Sequence, residues 1–390
     1  MRCETLNILY AAAQDEDTRQ GLRRQFFSHV PGRLWNDWRW QMRSRVRKVE
    51  QLSQYLPLSH EQQEQLSFVT AKYPLSITPY YLCLINTDDP DDPIGRQAVP
   101  AIQETALCGF GDEDPLAEAE LSPVPGLVHR YPDRALIITS NICPVHCRHC
   151  NRKRQWRQGP WIQTDTALAP MLDYIKNTPH IRDVILSGGD PLTFSTGRLE
   201  RIISALRNIA HVEIIRIGTR YPVTLPQRIT VELCSMLTKY GPIWVNTHFN
   251  HPRELTPEAA AACQRLLRAG MPVNNQCVLL RGVNDTLEVQ EALCRGLLKI
   301  NVRPYYLFHT DDVQGTEHLR TPVEDGIAIM AGLRGMVSGL GLPTYVVDLP
   351  GGGGKVPLQP DYLISGSDSH YVFRNHKGKI CRYRNPAGSK

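Results

Sequence analysis

Three thiols stand close together at Cys143, Cys147 and Cys150, in the stretch "NICPVHCRHCNRKR" (141–154), with the spacing C-x3-C-x2-C. The chain's eleven cysteines are odd in number and otherwise scattered, which argues against a disulfide framework and for a metal centre. A structural zinc site takes four Cys or His ligands, commonly as paired C-x2-C units. His146 and His149 offer a fourth ligand, but wrapping all four around one ion within so short a loop is strained. A [4Fe–4S] cluster normally takes four thiolates. Three leave one iron with an open position for a small molecule.

Two glycine-rich stretches accompany the thiols. "SGGDPL" (187–192) is a common kind of turn, and its glycines let backbone come close to a ligand where a Cβ would clash. "PGGGGK" (350–355) invites a phosphate-loop reading, but Val356 follows the lysine and Pro357 disfavours a helix start. A lysine ending a flexible loop also suits a Schiff base with pyridoxal phosphate (PLP), or is simply a surface lysine. These residues alone do not choose.

Positioning such groups falls to the regular elements. From residue 134 the spacing predicts strands at 135–140, 183–188, 212–218, 243–249, 273–280 and 303–310. Between them it predicts helices at 164–178, 197–210, 230–241, 256–270 and 285–300, opened in places by Thr or Asp caps. A final helix at 323–339 leads into "PTYVVDL" (343–349). Six strand–helix units in succession mean a parallel sheet, either open and doubly wound or curved into a full or partial barrel. Periodicity does not decide between them. In both, sites form beyond the carboxyl ends of the strands. The cysteines follow the first strand, "SGGDPL" the second, "TRYP" (219–222) the third and "NTHFNHP" (246–252) the fourth. "HTDD" (309–312) follows the sixth and "PGGGGK" the last. Polar, ionisable and glycine-rich residues thus gather on one rim, the pattern of an enzyme.

The remaining features set bounds. With 390 residues, 42% apolar and 21% charged, the chain can bury a sizeable core. Its net charge of +5 is too mild to suggest a nucleic-acid partner. Residues 1–110 read as mainly helical, and 34–56 are their clearest amphipathic stretch. Trp35, Trp38 and Trp40 are expected to pack this segment against the main domain rather than to stack nucleobases. "TDDPDD" (87–92) and "RHCNRKR" (148–154) read as solvated loops. Cys3, Cys83, Cys108, Cys234, Cys263, Cys277, Cys294 and Cys381 read mostly as buried small hydrophobes. The first twenty residues lack a secretory pattern and no long apolar run appears, so a cytoplasmic protein with no membrane partner is expected.

A C-x3-C-x2-C loop after the first strand of a repeating β/α unit resembles the radical S-adenosylmethionine (SAM) enzymes. Together, "CPVHCRHCNRKR" and "VDLPGGGGK" look like lysine 2,3-aminomutase and its relatives, which are PLP-dependent radical SAM enzymes. The likeness continues in "WNDWRWQ" (35–41), "HRYPDRAL" (129–136), "WVNTHFNHPRE" (244–254) and "VLLRGVND" (278–285). Further matches are "VRPYY" (302–306), "EHLRTPV" (317–323) and "GLPTYVVD" (341–348). The resemblance implies an α/β fold, a partial (β/α)6 radical SAM barrel over 111–350. A helical N-terminal region over 1–110 and a PLP-lysine loop with a short C-terminal segment over 351–390 would flank it. It also implies a [4Fe–4S] cluster on Cys143, Cys147 and Cys150, with SAM on the open iron and against Ser187, Gly188, Gly189, Asp190 and His248. Lys355 would hold PLP, Arg130 and Arg134 would meet its phosphate, and Tyr131 its ring. Arg152 would pair with the substrate α-carboxylate, which a planar guanidinium fork suits.

The implied reaction is an isomerisation that moves the α-amino group of L-lysine to C3, giving β-lysine. Asp311 and Asp348 occupy the places where the lysine enzymes of this family hold the ε-ammonium. Two carboxylates converging in a dry site are costly unless a cation arrives between them, which favours lysine or arginine over glutamate. Arginine, giving β-arginine, is the nearest alternative. β-Lysine supply for modification of a translation factor and a non-catalytic iron–sulfur protein are the others. Longer members of the family bind zinc through a cysteine after "RGVND" and a C-terminal cysteine cluster. Here Thr286 and a lone Cys381 stand instead, so no zinc is expected. The implied partners are an amino-acid substrate, a flavodoxin- or ferredoxin-type electron donor, and a second copy in a homodimer or tetramer.

Overall fold

A computed structural model of the chain, described over residues 19–106 and 109–386, is built around one nine-stranded sheet. The N-terminal leader reading, Cys3 and Cys108 lie outside the described residues, except for residues 19 and 20. The strands are β1 (Leu127–Tyr131), β2 (Arg134–Ile138), β3 (Asp183–Ser187), β4 (Ile214–Gly218), β5 (Ile243–Thr247), β6 (Val273–Leu279), β7 (Arg303–His309), β8 (Thr344–Leu349) and β9 (Gly354–Pro357). They lie side by side in chain order. Strands β2 to β8 run parallel, while β1 and β9 are antiparallel additions at the two edges. The crossover helices are α1 (Asp165–Lys176), α2 (Thr196–Arg207), α3 (Val231–Thr238), α4 (Pro257–Arg268), α5 (Leu287–Lys299) and α6 (Val323–Leu333).

That order settles what periodicity left open. A doubly wound sheet reverses direction at a switch point. Here every crossover advances one strand the same way. Right-handed crossovers then put all six helices on one face, and the sheet curves into a partial (β/α)6 barrel whose sixth unit ends on β8. Five of the six helices start where the sequence supplies a hydroxyl. Thr164, Ser195, Thr230, Thr256 and Thr286 each accept the N–H three residues on. Such caps contribute about 1 kcal/mol apiece. Helix α6 stops at Leu333, short of the expected 339, because Arg334 is extended and Gly335 takes a φ of +97°.

The N-terminal region is helical in short pieces. The stretch 34–56 forms no single helix but contributes to Gly32–Trp35, Trp38–Arg43 and Val49–Leu52. Asp37 caps a new start by accepting the Arg39 N–H, and Val46 leaves the helical path to exchange backbone bonds with Ile77 at 2.8 and 3.0 Å. Trp35 is buried, and the Arg228 guanidinium from the barrel lies 4.6 Å over the Trp38 ring. One apolar core runs from Leu22 through to Tyr345, so this region packs on the barrel as expected. Cys83, Cys234, Cys263, Cys277 and Cys294 are buried and Cys381 is exposed. Residues 363–384 add a separate antiparallel sheet, β10 (Leu363–Gly366), β11 (His370–Arg374) and β12 (Ile380–Arg384), which the periodicity does not announce. Among the described residues no helix is long and apolar enough to cross a membrane.

Candidate active site

The cysteine loop leaves β2 at Ile138, and other parts of the chain hold it down. Arg45 donates to the Cys143 carbonyl at 2.6 Å. The His146 N–H reaches the Ser76 carbonyl at 2.9 Å, and the Arg148 N–H reaches the Gln97 carbonyl at 2.9 Å. The helical N-terminal region is therefore the clamp on the loop. His146 turns away from the cysteines: its ring stacks on Trp156 at 4.5 Å and its Nδ1 meets the Pro74 carbonyl. Among the described residues no three His, Cys, Asp or Glu side chains are arranged to hold a single metal ion. A cluster asks for something else, because each thiolate takes a different iron.

Without a metal these groups sit badly as thiolates. Burial, then the neighbouring Cys147 sulfur, pushes Cys150 up to about 11. Burial, then Asp190 and the other two sulfurs, pushes Cys143 well above its usual value. Thiolates become favourable there once a Lewis acid binds them. The donor set fits an iron–sulfur cluster.

The four cations of the loop are not solvated, contrary to expectation. Arg148 and Lys153 are buried and share Glu104, at 2.5 and 2.7 Å. Arg152 and Arg154 share Glu118, at 2.6 and 2.9 Å. Burial alone would raise the Glu118 carboxyl, but Arg152 and Arg154 outweigh it and hold the group below its ordinary range. The acidic loop is likewise only partly solvated, since Asp92 is buried against Arg253 and the Gly95 N–H. Local sequence hides all of this, because the partners lie far along the chain.

The glycines of "SGGD" have a structural reason of their own. A Cβ on Gly188 would meet the Ser140 oxygen at 2.7 Å, and one on Gly189 would meet the Asn141 carbonyl carbon and the Ile142 nitrogen at 2.6 Å. Gly188 also takes a φ of +117°. The tight approach is to the root of the cysteine loop: the Gly189 N–H donates to the Ser140 carbonyl and the Asp190 N–H to that of Ile142. The Asp190 carboxylate accepts from the Thr219 hydroxyl at 2.7 Å and the Arg220 N–H at 2.7 Å, and burial pushes it up to about 7. It ties the end of β3 to the end of β4. Gly189→Ala is expected to cost about 1–3 kcal/mol or more through overpacking, read as a lower Tm and poorer iron incorporation.

The two free edges of the sheet meet at Lys355. Asp348 on β8 and Lys355 on β9 are cross-strand partners, and Nζ lies 2.6 Å from Asp348 Oδ2. Arg130 on β1 reaches the same carboxylate at 2.9 Å. The Lys355 N–H donates to the Tyr131 hydroxyl at 3.0 Å. The Arg130 and Arg134 guanidinium carbons lie 5.2 and 4.0 Å from the centre of the Tyr131 ring, and Phe308 lies 5.4 Å from Nζ. Asp311, at the end of β7, accepts from Asn151 in the cysteine loop at 3.2 Å. Burial first, and Asp348 next, push Asp311 up to about 6. Asp312 pairs with Arg320 instead.

The loop that carries the thiols thus touches the acidic end of the lysine site. Arg152 links a third part, since its Nη1 reaches the Ser187 hydroxyl at 3.3 Å while Glu118 holds the rest of the fork. His248 follows β5, and burial lowers its ring to about 4. The residues that sequence reasoning had not singled out are Glu118, Asn151, Phe308, Arg220 and Glu254. Arg220 stands after a strand in "TRYP", Asn151 and Glu254 fall within quoted motifs and Phe308 within an expected strand, while Glu118 carried no signal.

A barrel of this order with three thiols at its rim defines the class, and residues 137–291 match the Radical SAM superfamily. Such enzymes work with a [4Fe–4S] cluster and SAM. Residues 330–389 match the family described as Lysine-2,3-aminomutase. The chain is 51% identical to the L-lysine 2,3-aminomutase of Clostridium subterminale, over 93% of this chain and 88% of that one. It is 50% identical to that of Acetoanaerobium sticklandii, over 94% and 88%. With the glutamate 2,3-aminomutase of Clostridioides difficile it shares 43% identity over 89% and 82%. The chain belongs to the lysine 2,3-aminomutase family of isomerases.

Proposed function

We propose that this chain is a PLP-dependent 2,3-aminomutase whose substrate is free L-lysine and whose product is β-lysine. The observation that carries the substrate is the placing of two carboxylates around Lys355: Asp348, 2.6 Å from its Nζ, and Asp311, which accepts from Asn151 at 3.2 Å and is pushed up to about 6 by burial and then by the charge of Asp348. Asp348 already has Arg130 and Lys355 as partners, whereas among the described residues the Asp311 carboxylate accepts only from the neutral Asn151 amide; a cationic side chain would supply the charge Asp311 lacks, and a glutamate side chain would add a further negative charge beside it.

PLP suits the residues around Lys355: an amine on a short strand, an aromatic ring at Tyr131, and two guanidinium groups beside that ring for a phosphate. When bound, it supplies a conjugated system over which unpaired spin beside the migrating nitrogen can spread. Held at Cys143, Cys147 and Cys150, a cluster with SAM would supply the radical chemistry needed to move a hydrogen from C3 to C2 of the substrate. The chain's own residues hold the substrate at both ends. Arg152, aimed by Glu118, takes the α-carboxylate, while Asp311 and Asp348 take the distal ammonium. Fixing both ends presents one C3 hydrogen to the radical, which is a gain in orientation. A low-potential flavodoxin- or ferredoxin-type donor, a homodimeric assembly and a cytoplasmic setting complete the reading.

The test is anaerobic kcat/KM of the reconstituted enzyme on lysine, arginine, glutamate and alanine. Each charge-assisted contact contributes ~1.5–3 kcal/mol, so Asp311→Asn should lower kcat/KM for lysine about ten- to a hundredfold. Asp348→Asn should cost more, because it also releases Arg130 and Lys355. Below about pH 6 Asp311 gains a proton, so kcat/KM for lysine should fall roughly tenfold per pH unit in the parent and stay flatter in Asp311→Asn. Faster turnover of glutamate, or two Asn variants as good as the parent, would end the cationic-substrate reading. Faster turnover of arginine would move the substrate to arginine.

A further inference from the structure

The three cluster sulfurs have different surroundings. The Cys150 sulfur accepts a neutral backbone N–H, from Arg152 at 3.4 Å. At Cys143 the nearby cation, Arg45, is spent on the carbonyl. The Cys147 sulfur accepts a charged donor, Arg220 Nη1, at 2.8 Å.

Arg220 is aimed there by everything around it. Its side chain is 8% exposed and that of its counter-ion, Glu254, is fully buried. Nη2 donates to Glu254 Oε1 at 2.7 Å and to Gln97 Oε1 at 2.5 Å, and Nε donates to the His248 carbonyl at 3.0 Å. Glu254 is fixed in turn by the Tyr81 hydroxyl at 2.7 Å and by the backbone N–H groups of Asn250 and His251 at 2.6 and 3.0 Å. The Arg220 backbone is held by Asp190 at 2.7 Å. A guanidinium has five donors in a rigid fork, and with Nε and Nη2 occupied the direction of Nη1 is set.

We propose that Arg220 sets the reduction potential of the iron–sulfur cluster by donating a charged hydrogen bond to the sulfur of Cys147. The inference rests on the assignment of that cysteine to the cluster. Reduction brings one electron from a low-potential donor into the cluster, and part of the added negative charge falls on the thiolate sulfurs. A hydrogen bond and a positive charge at one sulfur both strengthen as that charge grows, so they favour the reduced form. Glu254 opposes this, because its charge partly cancels that of Arg220. The balance of the pair, buried together beside the sulfur, sets how readily the cluster takes its electron. Arg220 is in this sense a positioning residue: it acts on the reaction through Cys147 and needs no contact with substrate.

The test is an anaerobic redox titration of the cluster-loaded full chain without SAM, followed by EPR, with exchangeable-proton couplings read by ENDOR. Arg220→Gln should lower the ratio of reduced to oxidised cluster at a fixed poise about tenfold, equivalent to ~59 mV for one electron, and should remove the strongest exchangeable coupling. Arg220→Lys keeps the charge and should recover part of the shift. Two near-isosteric changes that leave Arg220 in place guard against loss of the fold. Glu254→Gln should raise the potential, while Gln97→Glu, which puts a second carboxylate on Nη2, should lower it. An unchanged potential in Arg220→Gln overturns the proposal, as does a shift of the same sign in Glu254→Gln and Gln97→Glu. Iron and sulfide analysis of the parent separates this from the cluster assignment: a parent without a cluster refutes the assignment itself.

Discussion

Alanine at Cys143, Cys147 or Cys150 is expected to give a colourless protein with less than about a thousandth of the parent's SAM cleavage, a loss of at least ~4 kcal/mol of catalysis. The loop has no spare ligand. His146 is committed to Trp156 and the Pro74 carbonyl, and burial drops its ring to about 3. His149 is half-buried and is held by Asn250 through Nε2. Neither can swing onto an iron without breaking the packing that shapes the loop. Two thiolates leave two irons without protein ligands, and such a cluster is lost to solvent. The measurement is iron and acid-labile sulfide per chain, the brown absorption, and 5′-deoxyadenosine released under reducing conditions. Cys263→Ala is the control: it lies in the core on α4, away from the loop, and should keep both cluster and turnover. A Cys143→Ala protein with a full cluster and parental turnover would remove the basis for the site.

The barrel was readable because its signals are local. Alternating β-branched runs and Ser or Thr caps sit within a few residues of the elements they start, and the structure puts strands β2 to β8 within two residues of the expected spans. What failed were the parts decided at long range. The hairpin strand β1 and the closing strand β9 are short, and only the partners β2 and β8 make them strands. "RHCNRKR" looks solvated by composition, yet Arg148 is buried on Glu104, 44 residues away, and Arg152 on Glu118, 34 residues away. No local pattern announces such a partner. For the site, residue types, spacing and place after a strand singled out the thiols, whereas Lys355, Asp311 and Asp348 were reached through the family resemblance. Glu118, which aims Arg152, was silent because a buried counter-ion has no spacing rule, and nothing in the quoted motifs holding Asn151 and Glu254 marked those two residues out.

Lys355→Ala is expected to abolish aminomutation, by at least about a thousandfold, and to leave a protein that no longer keeps PLP through gel filtration. Chemistry without geometry would favour a different lysine. Burial, opposed by Glu104, lowers Lys153 to about 8, a value that suits Schiff-base formation with an aldehyde. But its ammonium lies at 3.0 Å from the Arg148 carbonyl, 2.7 Å from the Gly315 carbonyl and 2.7 Å from Glu104. Those three oxygens use all three of its donors and seal it in the interior. Lys355 stands instead at the rim, beside Phe308, Tyr131 and the Arg130 guanidinium, on a strand reached through a glycine turn in which Gly351, Gly352 and Gly354 take positive φ. Such a turn lets the backbone reverse tightly between β8 and β9 and places the lysine opposite Asp348. Borohydride treatment of the PLP-loaded chain followed by peptide mapping should therefore mark the peptide containing Lys355 and leave Lys153 unmodified. Lys153→Ala should bind PLP normally while losing stability, since it leaves Glu104 with Arg148 alone, whereas Lys355→Ala should lose the cofactor. A label on Lys153, or PLP retained and turned over by Lys355→Ala, would overturn the assignment of this rim as the reaction centre.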